Sequence, residues 1–265
     1  MTGRPRVFLA LATAAIVAAA IVVGVTLATR TDVAKHRSTP PPFVADPTTA
    51  AAVSRDVREA LRAWPTGTVR RLRILRGQHP GSALVRLELG LALALSGDRA
   101  AARQAWLAAE RVQPDSPSAV HAADLRHPDT PPGNPPFIAS FAQPRTAAER
   151  LLARGSELQA ALRPRSAERA FAAAAELAPN DAEAQVAAAV GLYDKEDPTV
   201  SFSRLGPLAR RFPHAQTVRF HLGLLLVYFR AFPQARKELA RAVAEGPGTI
   251  LAKRARVLLQ ASRKA

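Results

Sequence analysis

Residues 83–116, ALVRLELGLALALSGDRAAARQAWLAAERVQPDS, contain the pattern that decides the fold. Gly90 lies 24 residues before Pro114, and Trp106 lies eight residues before the same proline. Five prolines share this register along the chain: Pro80, Pro114, Pro179, Pro213 and Pro247. Three of the four gaps between them are 34 residues and the fourth is 65. A fixed period of 34 predicts an array of helix–turn–helix repeats.

Small and large residues alternate at fixed distances before these prolines. The small residue 24 positions before each is Gly90, Gly155, Ala189 or Gly223, and the large residue eight positions before is Trp106, Phe171, Leu205 or Leu239. A glycine or alanine on one helix leaves room for a bulky residue of the next helix to approach closely. These residues are therefore predicted to pack the two helices of each repeat together.

This frame resembles the tetratricopeptide repeat family, whose first helix carries Leu-Gly followed by a large apolar residue. The corresponding residues are Leu89-Gly90 with Leu93, and Leu222-Gly223 with Leu226. The best repeats are 83–116, 148–181, 182–215 and 216–249. A degenerate one precedes them at 49–82, and a capping helix follows at 250–265. The resemblance implies an all-α fold, a right-handed α-solenoid of helix pairs, whose first helices line a concave groove.

The resemblance also indicates which residues line that groove. The expected lining is apolar, which suits an amphipathic helix or an extended apolar segment of a protein or peptide partner. Packing against neighbouring helices or the inserted segment is the alternative role for these side chains. The residues are Leu84, Leu87, Leu91, Leu152, Ser156, Gln159, Val186, Val190, Tyr193, Phe220, Leu224 and Tyr228.

Residues 7–29, VFLALATAAIVAAAIVVGVTLAT, predict a transmembrane helix behind a short tail of residues 1–6. At about 1.5 Å per residue, such a helix crosses a hydrocarbon core of about 30 Å. Signal peptides have apolar cores of only about 7–15 residues, so we expect an uncleaved single-pass anchor. Positive charges nearly balance across the segment. The Pro-rich linker 30–48 is expected to be a stalk that holds an extracytoplasmic domain off the membrane.

An insertion at 117–147 explains the irregular gap between the prolines. Residues 118–125 predict one short helix, and the proline-rich stretch 127–141 predicts extended chain. Phe137 and Phe141 are unusual in such a stretch. We expect them to contact the helices, either within the concave groove or over apolar surface between the sub-arrays 49–116 and 148–265.

No catalytic motif occurs in the sequence. It contains no cysteine, no metalloprotease motif, no phosphate-binding glycine loop and no nucleophile elbow. The six histidines lack the spacing of metal ligands; they are His36, His79, His121, His127, His214 and His221. We therefore expect a protein that is not an enzyme, with no catalytic residues, no metal site and no cofactor.

The net charge of +16 indicates a second possible kind of partner, one that is anionic. One basic cluster is Arg70, Arg71, Arg73 and Arg76; the other is Arg236, Lys237, Arg241, Lys253, Arg254, Arg256, Arg263 and Lys264. These residues are either solvated helix faces or a surface for an anionic polymer, lipid or protein. Few aromatic residues accompany them, which argues against nucleic acid as a partner.

Three functions fit these features. The first is a bacterial membrane-anchored tetratricopeptide scaffold that binds a protein or peptide in its apolar groove during assembly of envelope complexes. The second is an assembly factor of the cytochrome c maturation type, which holds an unfolded client. The third is an electrostatic binder of an anionic polymer or nucleic acid, whose affinity would fall steeply with added salt.

Overall fold

The structure, a computed structural model, describes residues 39–262, which fold into twelve α-helices without any β-strand. The all-α prediction is confirmed. The predicted membrane segment at 7–29 lies outside the described residues. Within residues 39–262, no helix is both long enough and apolar enough to cross a membrane.

The chain divides into two compact units between Gly133 and Asn134. Unit 1 contains five helices: α1 (Ala51–Leu61), α2 (Thr68–Gln78), α3 (Ala83–Leu95), α4 (Arg99–Val112) and α5 (Pro117–Arg126). Unit 2 contains seven: α6 (Ala147–Ala160), α7 (Pro164–Leu177), α8 (Ala182–Gly191), α9 (Thr199–Arg211), α10 (Gln216–Tyr228), α11 (Phe232–Glu245) and α12 (Ile250–Ala261). The sequence predicts a helix at 118–125, where α5 lies.

Consecutive helices pair within each unit, as in a helical-repeat array. Each helix contacts the next, and the first helix of each pair also contacts the first helix of the following pair. In unit 1 these first helices are α1, α3 and α5; in unit 2 they are α6, α8, α10 and α12. The first helices of each unit therefore form a continuous face.

The register prolines stand directly after the helix ends. Helices α2, α4, α7, α9 and α11 each end two residues before one of the five prolines, so the C-cap is always the residue that precedes proline. These caps have φ between −160° and −124° and ψ between 65° and 72°. Proline disfavours the helical conformation in the residue before it, so each repeat ends at the same point.

Each repeat glycine lies under the bulky residue of its partner helix. A Cβ atom on Gly90 would lie 2.2 Å from Nε1 of Trp106, and one on Gly155 would lie 2.2 Å from Cε1 of Phe171. A Cβ on Gly223 would approach the side chain of Leu239 to 2.7 Å. The absence of a side chain thus sets how closely α3 packs on α4, α6 on α7, and α10 on α11.

Candidate functional site

An extended segment at residues 134–141, here called strap 2, crosses the face formed by α6, α8 and α10 of unit 2. Its hydrogen-bond partners lie on all three helices. It begins near the C-terminal ends of α6 and α10 and reaches the N-terminal end of α8. Strap 2 therefore runs antiparallel to the first helices, and the face beneath it is called the unit-2 groove.

The side chain of Gln159 on α6 bonds to the main chain of strap 2 on either side of Pro136. The amide N–H of Phe137 donates to Oε1 of Gln159 at 2.8 Å, and Nε2 of Gln159 donates to the carbonyl oxygen of Pro135 at 3.4 Å. One side-chain amide thus supplies an acceptor and a donor, as a neighbouring extended chain would. These bonds recognise backbone and do not depend on the side chains of the bound segment.

The ring of Phe137 fills an aromatic pocket in the unit-2 groove. Its side chain belongs to the core of unit 2 and the residue is 2% exposed. The ring meets Phe171 edge-on at a centroid distance of 5.3 Å and stacks on His221 at 5.0 Å. Aromatic pairs of this kind add about 0.5–1.5 kcal/mol each to the free energy of burial. Phe137 is therefore the apolar anchor of strap 2.

His221 of α10 accepts a hydrogen bond from the strap and is fixed in one tautomer. Its Nδ1 lies 2.8 Å from the carbonyl oxygen of Thr217, which can only accept, so Nδ1 carries the proton. Nε2 is then an acceptor, and the amide N–H of Ile138 donates to it at 3.0 Å. Burial lowers the pKa of His221 to about 4, against a smaller opposing effect of the bond to Thr217. The neutral ring is the form that binds the strap.

Polar contacts hold both ends of strap 2. The hydroxyl of Tyr228 donates to the carbonyl oxygen of Asn134 at 3.3 Å. At the other end the amide and hydroxyl of Ser140 both donate to the carboxylate of Glu183, the hydroxyl at 2.6 Å. Burial raises the pKa of Glu183, and the two bonds from Ser140 oppose that rise. The groove therefore has polar groups at its ends and an apolar pocket between them.

Unit 1 carries a corresponding segment, strap 1, at residues 41–46. The amide of Val44 donates to Oε1 of Glu88 on α3 at 2.7 Å. Glu88 is fully buried, its Oε2 has no hydrogen-bond partner within residues 39–262, and burial raises its pKa to about 8. Phe43 lies under the guanidinium of Arg58 on α1, 4.4 Å from the ring centroid.

Strap 1 also contacts α5, the last of the three first helices of unit 1. The Ser118 hydroxyl and amide, near the start of α5, donate to Oδ2 of the buried Asp46 at 2.5 and 3.1 Å. The predicted stalk thus differs from the structure over these residues. Apolar Val44, together with Phe43, packs onto the core of unit 1, because burying them against leucine side chains is more favourable than exposing them.

The predicted groove residues fall into two groups. Most are buried: Leu84, Leu87 and Leu91 in unit 1, and Leu152, Val186, Val190, Tyr193, Phe220 and Leu224 in unit 2. Three are half-buried and bond to the strap main chain: Ser156, Gln159 and Tyr228. Of the two insertion phenylalanines, Phe137 lies in the groove and Phe141 is half-buried against the core of unit 2.

Sequence reasoning missed the two buried titratable residues that hold the straps. Glu88 and His221 each lie two residues before a repeat glycine, Gly90 and Gly223 respectively. That shared register, together with the recurrence of Pro-Pro-Phe in both straps, is the signal that could have found them.

Among residues 39–262, no cluster of three or more histidine and acidic side chains is placed to hold a metal ion. No protein-family model and no curated protein sequence matches the chain.

Proposed function

We propose that this protein is a membrane-anchored scaffold of the tetratricopeptide type that holds an extended segment of a protein partner in a groove of its helical array. The anchor is the apolar run at 7–29, and an extracytoplasmic position of residues 39–262 belongs to the proposal. Assembly of envelope complexes is the setting in which an anchored scaffold of this kind would act.

The seating of strap 2 in the unit-2 groove is the observation that supports this function. Gln159, His221 and Tyr228 direct donors and acceptors at main-chain atoms of an extended chain. Groups that bond to backbone, combined with a pocket for one side chain, are the usual means of recognising extended peptides. The groove thus has the chemistry of a peptide site, at present filled by the protein's own chain.

The test is an unbiased selection of peptides from a display library on the full-length chain in detergent micelles. Three forms are compared: wild type, Phe137→Ser, which removes the anchor of strap 2, and Phe229→Ser as a matched control. Phe229 lies outside the strap and is 39% exposed. We expect the Phe137→Ser chain to enrich peptides that wild type and Phe229→Ser do not.

A second substitution locates the binding. Adding Gln159→Ala to Phe137→Ser removes the backbone clamp, so the enriched peptides should lose affinity. If the Phe137→Ser chain keeps its helical circular dichroism and still enriches no peptide, the proposed function is wrong.

The electrostatic alternative has its own structural support and its own test. The four arginines Arg70, Arg71, Arg73 and Arg76 are all exposed on α2, around Ile74, which is 54% exposed. Within residues 39–262, one arginine of this cluster forms an ion pair: Arg71 lies 3.8 Å from Glu59. Binding through this face would weaken steeply between low and moderate salt, whereas groove binding would change little.

A further inference from the structure

We propose that the unit-2 groove selects extended segments of the pattern Pro-Pro-Phe-aliphatic-Ala, and that strap 2 is a resident copy which a partner segment of the same pattern displaces. This inference rests on the proposed function, because it names the ligand of the same groove. It is carried by a comparison of the two straps, each considered within its own unit.

The same five-residue pattern occurs in both straps. Strap 1 contains Pro-Pro-Phe-Val-Ala at 41–45, and strap 2 contains Pro-Pro-Phe-Ile-Ala at 135–139. Four of the five residues are identical, and the fifth exchanges one β-branched aliphatic residue for another. The helices that follow show no such identity, so the pattern is a property of the segments that lie on the first helices.

The two copies share the placement of their prolines and of the amide that follows phenylalanine. The first proline is buried and the second is exposed in each strap: Pro41 and Pro42, then Pro135 and Pro136. The amide that follows phenylalanine donates to a fully buried side chain two residues before a repeat glycine, Glu88 in unit 1 and His221 in unit 2. Each strap also contacts three first helices of its unit. The two units thus place the first proline and the amide after phenylalanine alike, whereas Phe43 is half-buried under Arg58 and Phe137 is buried in the aromatic pocket.

Four of the five positions of the pattern have a physical reason in unit 2. Proline has no N–H, so Pro135 can be buried with only its carbonyl oxygen to satisfy, and Gln159 donates to that oxygen. The proline pair also favours the extended conformation before binding, which lowers the entropic cost of ordering. The aromatic pocket accepts Phe137, and Ile138 packs against the neighbouring core around Phe220.

Because strap 2 is tethered, it competes strongly with any free segment. A short tether gives an effective concentration of about a millimolar or more, so a free peptide of equal intrinsic affinity scarcely displaces it. A partner must therefore present its segment at high local concentration, as one held at the same membrane does, or the strap must be weakened.

The test uses the full-length chain and synthetic peptides. The first peptide is Asn-Pro-Pro-Phe-Ile-Ala-Ser-Phe, the sequence of 134–141, and its control carries serine in place of phenylalanine at the fourth position. Binding to wild type, to Phe137→Ser and to Phe229→Ser is measured by fluorescence anisotropy of labelled peptide. We expect the first peptide to bind Phe137→Ser at least about tenfold more tightly than wild type or Phe229→Ser, and the control peptide to bind none of them.

A second measurement does not require the weakened strap. The sequence has no cysteine, so Ala139→Cys places a single thiol on the half-buried part of strap 2. High concentrations of the first peptide should raise the rate of thiol labelling by displacing the strap, and the control peptide should not. This arm keeps the proposal testable if Phe137→Ser fails to fold.

Three results would overturn the inference. Selection of library peptides that lack the pattern, while the 134–141 peptide fails to bind, would leave the proposed function standing and refute the assigned ligand. A labelling rate that rises with protein concentration alone would identify a second copy of the chain as the occupant instead of a partner. Failure of every peptide to bind a folded Phe137→Ser chain would refute the proposed function as well.

Discussion

Protonation of His221 should release strap 2 from the unit-2 groove. The neutral ring uses both nitrogens, donating from Nδ1 to Thr217 and accepting at Nε2 from Ile138. A proton on Nε2 would face the N–H of Ile138 with another N–H, so the bond would be lost while a charge was buried. Acid should therefore favour an open state in which the ring regains water.

The magnitude follows from the pKa. Burial lowers the pKa of His221 from 6.5 to about 4. The unfolded or open chain binds the proton at a higher pH than the closed chain does. The stability of the closed state is therefore highest above about pH 6.5 and decreases as pH falls to about 4. At about 1.36 kcal/mol per pKa unit, the loss is about 3 kcal/mol, or a change of about two orders of magnitude in the opening equilibrium.

Thiol labelling of Ala139→Cys measures that opening, with a disulfide reagent that reacts throughout this pH range. Rates are divided by those of a free cysteine peptide at the same pH. Between pH 6.5 and 4 the corrected rate should rise by about two orders of magnitude, and by far less when His221→Gln is added. Gln keeps an acceptor for Ile138 but does not titrate. His214→Gln, at an exposed site of the same unit, should respond like its parent. Equal pH responses with and without His221→Gln would refute the reasoning.

Further predictions concern packing and the other buried acid. As pH rises from about 4.5 to about 8, the wild type should lose about 1.4 kcal/mol of stability per pH unit, because the unfolded chain releases the Glu88 proton and the folded chain keeps it. Glu88→Gln should not show this loss. Parallel urea midpoints for both chains across that range would contradict the prediction. Gly155→Ala forces a Cβ to 2.2 Å from Phe171 and should cost about 1–3 kcal/mol in thermal or urea unfolding. Gly77→Ala, with open space around its Cβ inside α2, should instead stabilise by about 0.5–1 kcal/mol. Gln159→Ala should raise the Ala139→Cys labelling rate at neutral pH, and an unchanged rate would show that its two bonds to the strap are dispensable.

The repeat geometry was predictable because its determinants are local. Proline restricts the residue before it whatever the surroundings, so the positions of Pro80 and its four counterparts fix the ends of five helices. The glycines Gly90, Gly155 and Gly223 lie 16 residues before the bulky residues that cover them. That spacing lies within one helix pair and can be read from the period.

The seating of the straps was not predictable in the same way. Proline-rich segments have no apolar period that indicates which side chain is buried, and Ile138 meets His221 across 83 residues of sequence. His221 stands beside Arg219 and resembles a surface histidine until the strap covers it. Strap 1 begins within a proline run, residues 40–42, and was predicted as a stalk for the same reason: its burial depends on Glu88 and Ser118, which lie far along the chain.

Amide hydrogen exchange of residues 134–141 in the full-length wild-type chain tests the central claim most directly. The claim is that the unit-2 groove holds an extended polypeptide, at present the protein's own. The account predicts slow exchange at neutral pH for the amides of Phe137, Ile138 and Ser140, which donate to Gln159, His221 and Glu183. Exchange of these three amides at the rate of an unstructured peptide would contradict it, because the groove would then be empty and the strap would not be its ligand.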